Sequence, residues 1–489
     1  MAYYIGADLG TSSVKLILCD RIGAVVRSCT KNYPLRYPHP GWSEQDPADW
    51  LDAFSEGVRE LVAGIDGVAG IGVAGQMHGL VILDAEDRVI RPAILWNDGR
   101  TFEETDYLNT EVGREKLSAY TANVAFAGFT APKLLWVKKR EPENFERIAR
   151  IMLPKDYINY RLTGVYATDY SDAAGTLLLD VKAKRWSGEM LSLCSLDESR
   201  MPRLFESGAC IGTVLPGIAK KLGLSVGVRV AAGAADNAAA AIGTGTVGDG
   251  KCNISLGTSG TVLISSERFR MDRNNSLHAF CHADGGYYLM GCMLSAASCN
   301  KWFCEEILGT GDFSAEQARI GGETLGRNRV YFLPYLMGER SPVNDTNASG
   351  VFLGLRPDTT RAAMLQAVLE GVAFAVRDNV EVARSLGIRI ESSTVCGGGA
   401  RSPLWLTILC NVLGIELRVP ETEEGPALGA VRLAMVACGE YPSVRACARE
   451  PKTAKTYSPD PETAARYEAR YRAFRKIYPS LKELFSELR

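Results

Sequence analysis

The stretch LGTSSVKLIL, Leu9–Leu18, has a near copy in LGTSGTVLIS, Leu256–Ser265, about half the chain away. Each copy places a turn of Gly, Thr and Ser between two apolar runs, which predicts strand, glycine turn, strand. An aspartate, Asp8, precedes only the first turn, because Ser255 stands at the equivalent position of the second copy. The repeat predicts a duplicated α/β domain.

Elements around both copies support this prediction. VVRSCTKNYPL continues the first copy as a β-meander, and apolar residues at helical spacing in DPADWLDAFSEGVRELVAG predict a helix with Asp46 as its N-cap. A buried strand over Val68–Ala74 and a hairpin around Ala85–Asp87 follow. In the second half, TRAAMLQAVLEGVAFAVRDNVEVARSL predicts a long helix, and STVCGGGARSPLWLTILCNVLG predicts strand, triglycine turn and helix.

Composition narrows the class of partner. The 489 residues are 46% hydrophobic and 23% charged, with a net charge of -2, so no basic excess is present to hold a nucleic acid or an anionic membrane. A small-molecule partner is expected. The beginning MAYYIGADLG lacks a leader pattern and no run of about 18 apolar residues occurs, which predicts a cytoplasmic protein.

Cysteine and histidine usage leaves one metal alternative open. The thirteen cysteines are odd in number and irregularly spaced, which indicates reduced, mostly buried thiols. In HAFCHADGG, His278, Cys281 and His282 are ligand types at short spacing, and they fit either a metal site or a core strand leading into a turn. We favour the core strand.

The two glycine turns suggest phosphate binding. Glycine lets backbone N–H groups and hydroxyls converge on an anion, so the turns Thr11, Ser12, Ser13 and Gly257, Thr258, Ser259 would hold the two ends of a polyphosphate. Lys15 would add a further cation beside the first turn, the alternative being a solvated lysine on a strand. Asp8 would be the single carboxylate that binds one Mg²⁺, directly or through water. An ordinary β-hairpin is the alternative for either turn alone.

The triglycine segment CGGGARSPLW adds a third element. Gly397, Gly398 and Gly399, followed by Ala400, would let a flat base or a ribose approach the backbone closely. Together with the two turns, this segment favours nucleotide binding.

At this point the chain resembles a known family from end to end: the actin, Hsp70 and sugar kinase superfamily, and within it the FGGY carbohydrate kinases. GFTAPKLLWV at Gly128–Val137 is similar to the first family signature, and GVFLGL with QAVLEG, between Gly350 and Gly371, to most of the second, with Ala363 at a position that is usually polar. The resemblance implies duplicated ribonuclease H-like domains flanking a deep catalytic cleft. We place them at 1–248 and 249–489, the first binding sugar and phosphate and the second the nucleotide.

The resemblance is closer to family members that phosphorylate the ketopentose D-xylulose. It is carried by WSEQDP, AGQMHGL, PAILWNDGR, LPKDY, SDAAGT, ADNAAAA and SLGTSG. It implies transfer of the γ-phosphoryl group of ATP to the terminal hydroxyl of D-xylulose, with Mg²⁺ as cofactor. A member acting on another ketose or polyol, such as ribulose, is the alternative, and a nucleotide-dependent chaperone-like protein on the same fold is a further class.

The same resemblance assigns the site residues. Asp236 matches the catalytic aspartate of the family and would act as general base, although an aspartate there also suits a helix N-cap. Met77, His78 and Asp236 would bind the sugar, and Asp8 joins Asp236 as a residue needed for catalysis. Weaker candidates for the sugar pocket, for which loop packing fits equally well, are Asn237 beside the base, Trp96, Asn97 and Asp98.

The C-terminal segment has a separate expectation. From residue 459 to 489 the chain predicts an amphipathic helix, with a stripe formed by Tyr467, Tyr471, Phe474 and Ile477. The helix would pack on the body of the protein, and a homodimer contact is the alternative.

Overall fold

The structure is a computed structural model that describes residues 2–421 and 424–488. Its strands in the first half are β1 Tyr3–Leu9, β2 Ser13–Cys19, β3 Val25–Asn32, β4 Glu44–Gln45, β5 Val68–Gly75, β6 Val81–Leu83, β7 Ala93–Ile94, β8 Arg150–Met152, β9 Ala167–Asp169, β10 Leu179–Asp180, β11 Arg185–Trp186, β12 Arg203–Phe205, β13 Cys210–Thr213, β14 Arg229–Ala231 and β15 Ala234–Ala235. Those of the second half are β16 Cys252–Leu256, β17 Gly260–Ser266, β18 His278–Cys281, β19 Tyr287–Met293, β20 Tyr331–Leu333, β21 Val351–Leu353, β22 Ser392–Cys396, β23 Glu416–Pro420 and β24 Thr453–Tyr457.

Helices alternate with these strands. They are α1 Pro47–Val62, α2 Phe102–Tyr107, α3 Arg114–Thr121, α4 Thr130–Arg140, α5 Pro142–Glu146, α6 Pro154–Thr163, α7 Tyr170–Ala173, α8 Gly188–Leu193, α9 Pro216–Leu222, α10 Asp236–Gly243, α11 Ala297–Trp302, α12 Phe313–Gln317, α13 Arg361–Ser385, α14 Pro403–Leu413, α15 Gly425–Ala437, α16 Val444–Cys447, α17 Pro461–Phe474 and α18 Ile477–Glu487. Single turns of 3₁₀ or π helix occupy Leu108–Gly113, Ala174–Thr176, Glu198–Arg200, Phe303–Ile307, Gly322–Thr324 and Gly398–Arg401.

The chain packs as two compact units. The first contains the residues up to Val247 together with 279–288 and 424–450, and the second contains 248–278, 289–421 and 451–488. The domain boundary that we placed near Gly248 stays a prediction. None of the helices in the described ranges is long and apolar enough to span a membrane.

The first unit is built on a mixed sheet in the order β13-β14-β5-β1-β2-β3, with β15 also pairing with β5. The predicted meander is confirmed, since β1, β2 and β3 pair antiparallel in succession. Strand β5 pairs parallel with β1 and with β15. Alternate side chains point to opposite faces, so Ile5 and Ala7 join one core cluster while Tyr4 joins another.

Different helices cover the two faces of this sheet. On one face, Trp50 and Phe54 of α1 lie in the same apolar cluster as Tyr157 of α6. The predicted helix start is confirmed, because the Asp46 side chain accepts a hydrogen bond from the Ala48 amide. The predicted strand after α1 is also confirmed, as β5. On the other face, Val431 of α15 packs in the second apolar cluster together with Tyr4.

Helix α15 approaches the sheet backbone directly. A Cβ at Gly6 would lie 2.1 Å from the carbonyl oxygen of Ala427, and one at Gly72 would lie 2.0 Å from that of Ala430. Both distances are far below van der Waals contact. Glycine is therefore required wherever α15 crosses β1 and β5.

The hairpin predicted at Ala85–Asp87 forms only as a short turn. The Asp84 amide donates to Arg88 O at 3.0 Å, and the Ile90 amide donates to Ile82 O at 3.0 Å. The regular partner of β6 is instead β8, which pairs with it antiparallel. A distant strand therefore supplies the ladder that the local sequence suggested.

The second unit repeats the strand-turn-strand motif. Strands β16 and β17 are antiparallel around the turn Gly257–Ser259, and β16 pairs parallel with β22, which continues to β23 and β24. The predicted long helix is confirmed as α13, with the Thr360 side chain as its N-cap. The predicted strand, triglycine turn and helix are confirmed as β22, Gly398–Arg401 and α14.

The C-terminal segment differs from the single predicted helix. It forms two helices, α17 and α18, that are separated at Arg475 and Lys476. The predicted packing on the body is confirmed, because the buried Glu370 of α13 accepts from Tyr467 Oη at 3.0 Å and from Arg470 at 2.7 Å. The apolar stripe continues across the break, which is why its period alone did not reveal it.

We predict that Gly72→Ala destabilises the fold by about 3 kcal/mol or more, since a methyl group there overlaps the α15 backbone. Urea denaturation measures this change. Gly217→Ala is the matched control, because a Cβ at Gly217 meets open space in α9 and alanine favours the helix. Equal stability of the two variants would contradict the close contact.

Candidate active site

Three parallel strand ends bring the first set of predicted residues together. Asp8 is the penultimate residue of β1, Met77 and His78 follow the end of β5, and Asp236 follows β15 as the first residue of α10. Asp8 is registered with Ala74 of β5, and Ala235 with Gly75. Since parallel strands end at the same edge of a sheet, all four residues lie at one edge.

The carboxylate of Asp236 is held by its neighbour. Its Oδ1 accepts hydrogen bonds from the Asn237 amide at 2.7 Å and from Asn237 Nδ2 at 2.8 Å. Burial raises the pKa of Asp236 to about 6, against the lowering effect of the two Asn237 donors. The group is therefore mainly ionised at neutral pH while remaining basic enough to accept a proton.

Asp8 feels the charge of Asp236. The pKa of Asp8 is raised to about 7, mainly by burial and also by the negative charge of Asp236. The positive charge of Lys15 opposes both effects. A carboxylate in such surroundings is stabilised by a nearby cation. Lys15 itself is paired with Glu424, with 2.8 Å between Nζ and Oε2, so its charge is shared with a second acid.

The first glycine turn is braced by side chains from elsewhere in the first unit. Tyr33 Oη donates to Gly10 O at 2.5 Å, Trp96 Nε1 donates to Thr11 Oγ1 at 2.9 Å, and Gln45 Nε2 donates to Thr11 O at 2.7 Å. Of the predicted phosphate-binding residues, Ser12 is exposed while Thr11 and Ser13 are half-buried. The turn is thus a supported loop with solvent-facing hydroxyls.

His78 is fixed through its backbone and its ring. Its φ of 70° lies in the left-handed region, and its carbonyl oxygen accepts from Lys133 Nζ at 2.9 Å and from Thr130 Oγ1 at 3.1 Å. The ring Nδ1 lies 2.6 Å from Gly175 O, and the ring centroid lies 4.7 Å from that of Phe129. The other predicted sugar residue, Met77, has its Sδ 3.8 Å from Asn237 Nδ2.

Lys133 is a site residue that the sequence interpretation missed. It is fully buried, and its ammonium donates to Gly128 O at 2.8 Å as well as to His78. Burial lowers the pKa of Lys133 well below its usual value. The available signal was a lysine on the inward face of the otherwise apolar helix in GFTAPKLLWV.

The weaker candidates separate into two kinds. Trp96 and Asn97 are exposed, and Trp96 contacts the glycine turn. Asp98 is buried, and its carboxylate accepts from the Ser43 amide at 2.6 Å and from Arg100 NH2 at 2.7 Å. Loop packing therefore accounts for Asp98.

In the second unit, the second glycine turn lies beside the triglycine segment. A Cβ at Gly397 would lie 2.8 Å from the backbone of Leu256, and one at Gly399 would lie 2.7 Å from the Leu256 side chain. A cavity of about 730 Å³ opens here, and its wall includes Thr258, Gly398 and Gly399 of the predicted nucleotide residues but not Gly257, Ser259 or Ala400. This volume accommodates a ligand of nucleotide size.

The His278, Cys281 and His282 segment is a buried strand and turn, as favoured. Cys281 Sγ donates to Val181 O at 3.6 Å, and His282 Nδ1 lies 3.0 Å from Asp284 Oδ1. Among the described residues, no group of three or more His, Cys, Asp or Glu side chains could hold a metal ion. None of the thirteen cysteines, all in the described ranges, forms a disulfide.

We predict that Asp236→Asn stabilises the fold above pH 6. A carboxyl whose pKa is raised on folding gives stability that is present below its unfolded pKa and lost as pH rises through its folded pKa, here between about 4 and 6. The neutral amide removes that loss, by about 1–2 kcal/mol after allowance for partial exposure. Thermal unfolding at pH 8 and pH 4 measures it, with the exposed Asp66→Asn as control. A gain that is equal at both pH values would contradict the burial of charge.

Comparison with known proteins gives consistent matches over the whole chain. Residues 3–243 match the N-terminal domain of the FGGY family of carbohydrate kinases, and residues 252–438 match the C-terminal domain of the same family. A xylulose kinase from Escherichia coli is 42% identical over 487 residues, covering 99% of this chain and 100% of that protein. The crystal structure of a "xyloylose kinase" from Brucella ovis matches with a TM-score of 0.94 at 42% identity, covering 99% and 100%. A gluconate kinase from Lactobacillus acidophilus matches with a TM-score of 0.95 at 27% identity and full coverage of both chains.

Proposed function

The chain belongs to the FGGY family of carbohydrate kinases, and from this premise we propose that it phosphorylates D-xylulose at its terminal hydroxyl, using ATP and Mg²⁺. The product is D-xylulose 5-phosphate. Support for the sugar comes from the xylulose kinase relative at 42% identity over nearly the whole chain. The observation that carries the reaction is the gathering of Asp8, Met77, His78 and Asp236 at one edge of the sheet.

Asp236 acts as the general base in this proposal. Phosphoryl transfer is in line and loose, so the protein mainly positions groups, neutralises charge and removes the proton of the attacking hydroxyl. Burial raises the pKa of Asp236 to about 6, which suits a base that works near neutral pH. Both Asn237 donors bind Oδ1, which leaves Oδ2 to accept the hydroxyl proton.

His78 and Met77 bind the sugar. Gly175 O can only accept, so the hydrogen bond at 2.6 Å requires the proton on His78 Nδ1. In the neutral ring Nε2 is then an acceptor, suited to a sugar hydroxyl. The backbone at Met77 adds a second polar contact for the sugar.

The phosphates and the nucleotide use the glycine turns. Thr11, Ser12 and Ser13 bind phosphate from the first unit, and Gly257, Thr258 and Ser259 do so from the second. Gly398, Gly399 and Ala400 accept the base and the ribose beside the cavity. It stays a prediction that both hairpins hold the same nucleotide and that a cleft closes around it. The homodimer and the cytoplasmic location also stay predictions.

Asp8 fits the role of magnesium ligand. Its carboxylate oxygens are hard ligands of the kind that Mg²⁺ prefers, and burial and the charge of Asp236 raise its pKa. A divalent cation beside Asp8 would stabilise the ionised carboxylate. When bound, Mg²⁺ would supply positive charge that neutralises the phosphates during transfer. Asp8 would hold it, while Asp236 accepts the proton of the attacking hydroxyl.

A sugar panel tests the proposed substrate. We expect Mg²⁺-dependent ADP release with kcat/KM at least tenfold higher for D-xylulose than for ribulose, glycerol or gluconate, the last being prompted by the gluconate kinase neighbour. A coupled ADP assay measures it, with EDTA as the metal control. Preference for another sugar would overturn the substrate, and ADP release without any sugar would favour the chaperone-like class.

We predict that Asp236→Asn lowers kcat by about 10²- to 10⁴-fold with little change in the sugar KM, as expected for loss of a positioned base. Steady-state kinetics with D-xylulose and ATP measure both constants. Asp66→Asn, which replaces an exposed aspartate of the same unit, should keep the normal rate. Near-normal turnover of Asp236→Asn would eliminate the assignment of the base.

A further inference from the structure

A buried segment behind the site contacts both the residue that precedes the base and the sugar-binding histidine. It consists of Asp169, helix α7 and the following turn as far as Gly175, and we call it the support segment. Asp169, Ser171 and Asp172 have no exposed surface. These side chains cannot touch a substrate, so any role that they have in the reaction passes through other residues.

Ser171 connects the support segment to the base. Its Oγ donates to Asp169 Oδ2 at 2.5 Å and accepts from the amide of Ala235 at 3.1 Å. Ala235 directly precedes Asp236 and is the last residue of β15. The hydroxyl therefore fixes the peptide from which the catalytic carboxylate extends.

Gly175 connects the other end of the segment to the sugar site. Its carbonyl oxygen accepts from His78 Nδ1 and so orients the ring. A Cβ at Gly175 would lie 2.8 Å from Nδ1 and 2.9 Å from Cε1 of the same ring, and 2.8 Å from Met77 Cε. A residue without a side chain is needed there to leave room for the histidine.

A single buried ammonium anchors the segment from below. Lys155 Nζ lies 2.6 Å from Asp156 Oδ1, 3.0 Å from Asp169 Oδ1 and 3.5 Å from Asp172 Oδ2. Burial alone would lower the pKa of Lys155, but the three carboxylates raise it well above its usual value. Lys155 thus remains charged and ties α6 to the support segment.

Asp172 is the third acid beside Lys155. Neither of its oxygens has a hydrogen-bond donor among the described residues, and Lys155 is the cation beside it. Burial raises the pKa of Asp172 well above its usual value, more than the charge of Lys155 lowers it. Removing Lys155 would leave three carboxyl groups buried together, which would disturb folding itself.

We propose that the support segment is a positioning element that fixes the base and the sugar-binding histidine relative to each other. Ser171 acts on Asp236 through the Ala235 amide, and Gly175 acts on His78 through the histidine ring. This inference rests on the proposed function. It assigns separate kinetic effects to two residues only four positions apart. Loss of local packing alone would not separate them in this way.

The test compares three variants for activity with D-xylulose and ATP. Ser171→Ala should lower kcat about 10- to 100-fold with the sugar KM within about threefold of normal, because the base is displaced while the sugar contacts remain. Gly175→Ala should raise the sugar KM about tenfold or more, with a smaller change in kcat.

Ser207→Ala is the matched control. Ser207 Oγ donates to the same Asp169 Oδ2 as Ser171, at 2.6 Å, and is buried in the same way. The control removes one hydrogen bond from the same carboxylate without touching Ala235, so kcat should stay within about threefold. Thermal unfolding of each variant shows whether it is folded during the assay.

The outcomes are separable. Equal losses of kcat in Ser171→Ala and Ser207→Ala, or an unchanged kcat in a folded Ser171→Ala, would overturn the positioning role of Ser171. An unchanged sugar KM in Gly175→Ala would overturn that of Gly175. An unmodified protein that releases no ADP with D-xylulose would instead contradict the proposed function.

Discussion

Parallel pairing of β5 with β1 on one side and β15 on the other brings the acids and the histidine of the first unit's site to one edge of the sheet. The two ladders end at one edge, so Asp8, His78 and Asp236 meet although they are far apart in the chain. Their meeting requires burial of two carboxylates, which raises the pKa of Asp8 to about 7 and that of Asp236 to about 6. The site therefore carries electrostatic strain that a cation and a transferable proton relieve, and this fits the chemistry of phosphoryl transfer.

Support for this edge comes from behind the sheet and from its other face. Lys155 and the acids around it fill the space below β15, and Gly75 is needed there because a Cβ would lie 2.8 Å from Lys155 Cβ. On the opposite face, Gly6 and Gly72 let α15 contact the strand backbones. The buried charges around Lys155 and the glycines that allow close packing thus both keep the three strand ends at a fixed spacing.

Local patterns explain how much of this arrangement was predictable. The glycine turns, the meander, α1, α13 and the triglycine turn depend on residues close in sequence, and each was predicted correctly. Contacts over long sequence separation were not: Lys133 beneath His78, the Ser43 partner of Asp98, and the pairing of β6 with β8. The break between α17 and α18 was missed because the apolar stripe runs through it. Residues 279–288 and 424–450 pack with the first unit, although their position in the chain suggested the second.

The seating of α15 has a consequence for synthesis of the protein. Strands β1, β2 and β5, which form most of the sheet face that this helix covers, have left the ribosome after the first 75 or so residues, whereas the helix follows about 350 residues later. At about 5–20 residues per second, that face stays uncovered for tens of seconds on each nascent chain. Throughout this interval the apolar surface of Tyr4, Ile17 and Cys19 is available to chaperones, or to neighbouring chains on the same messenger RNA.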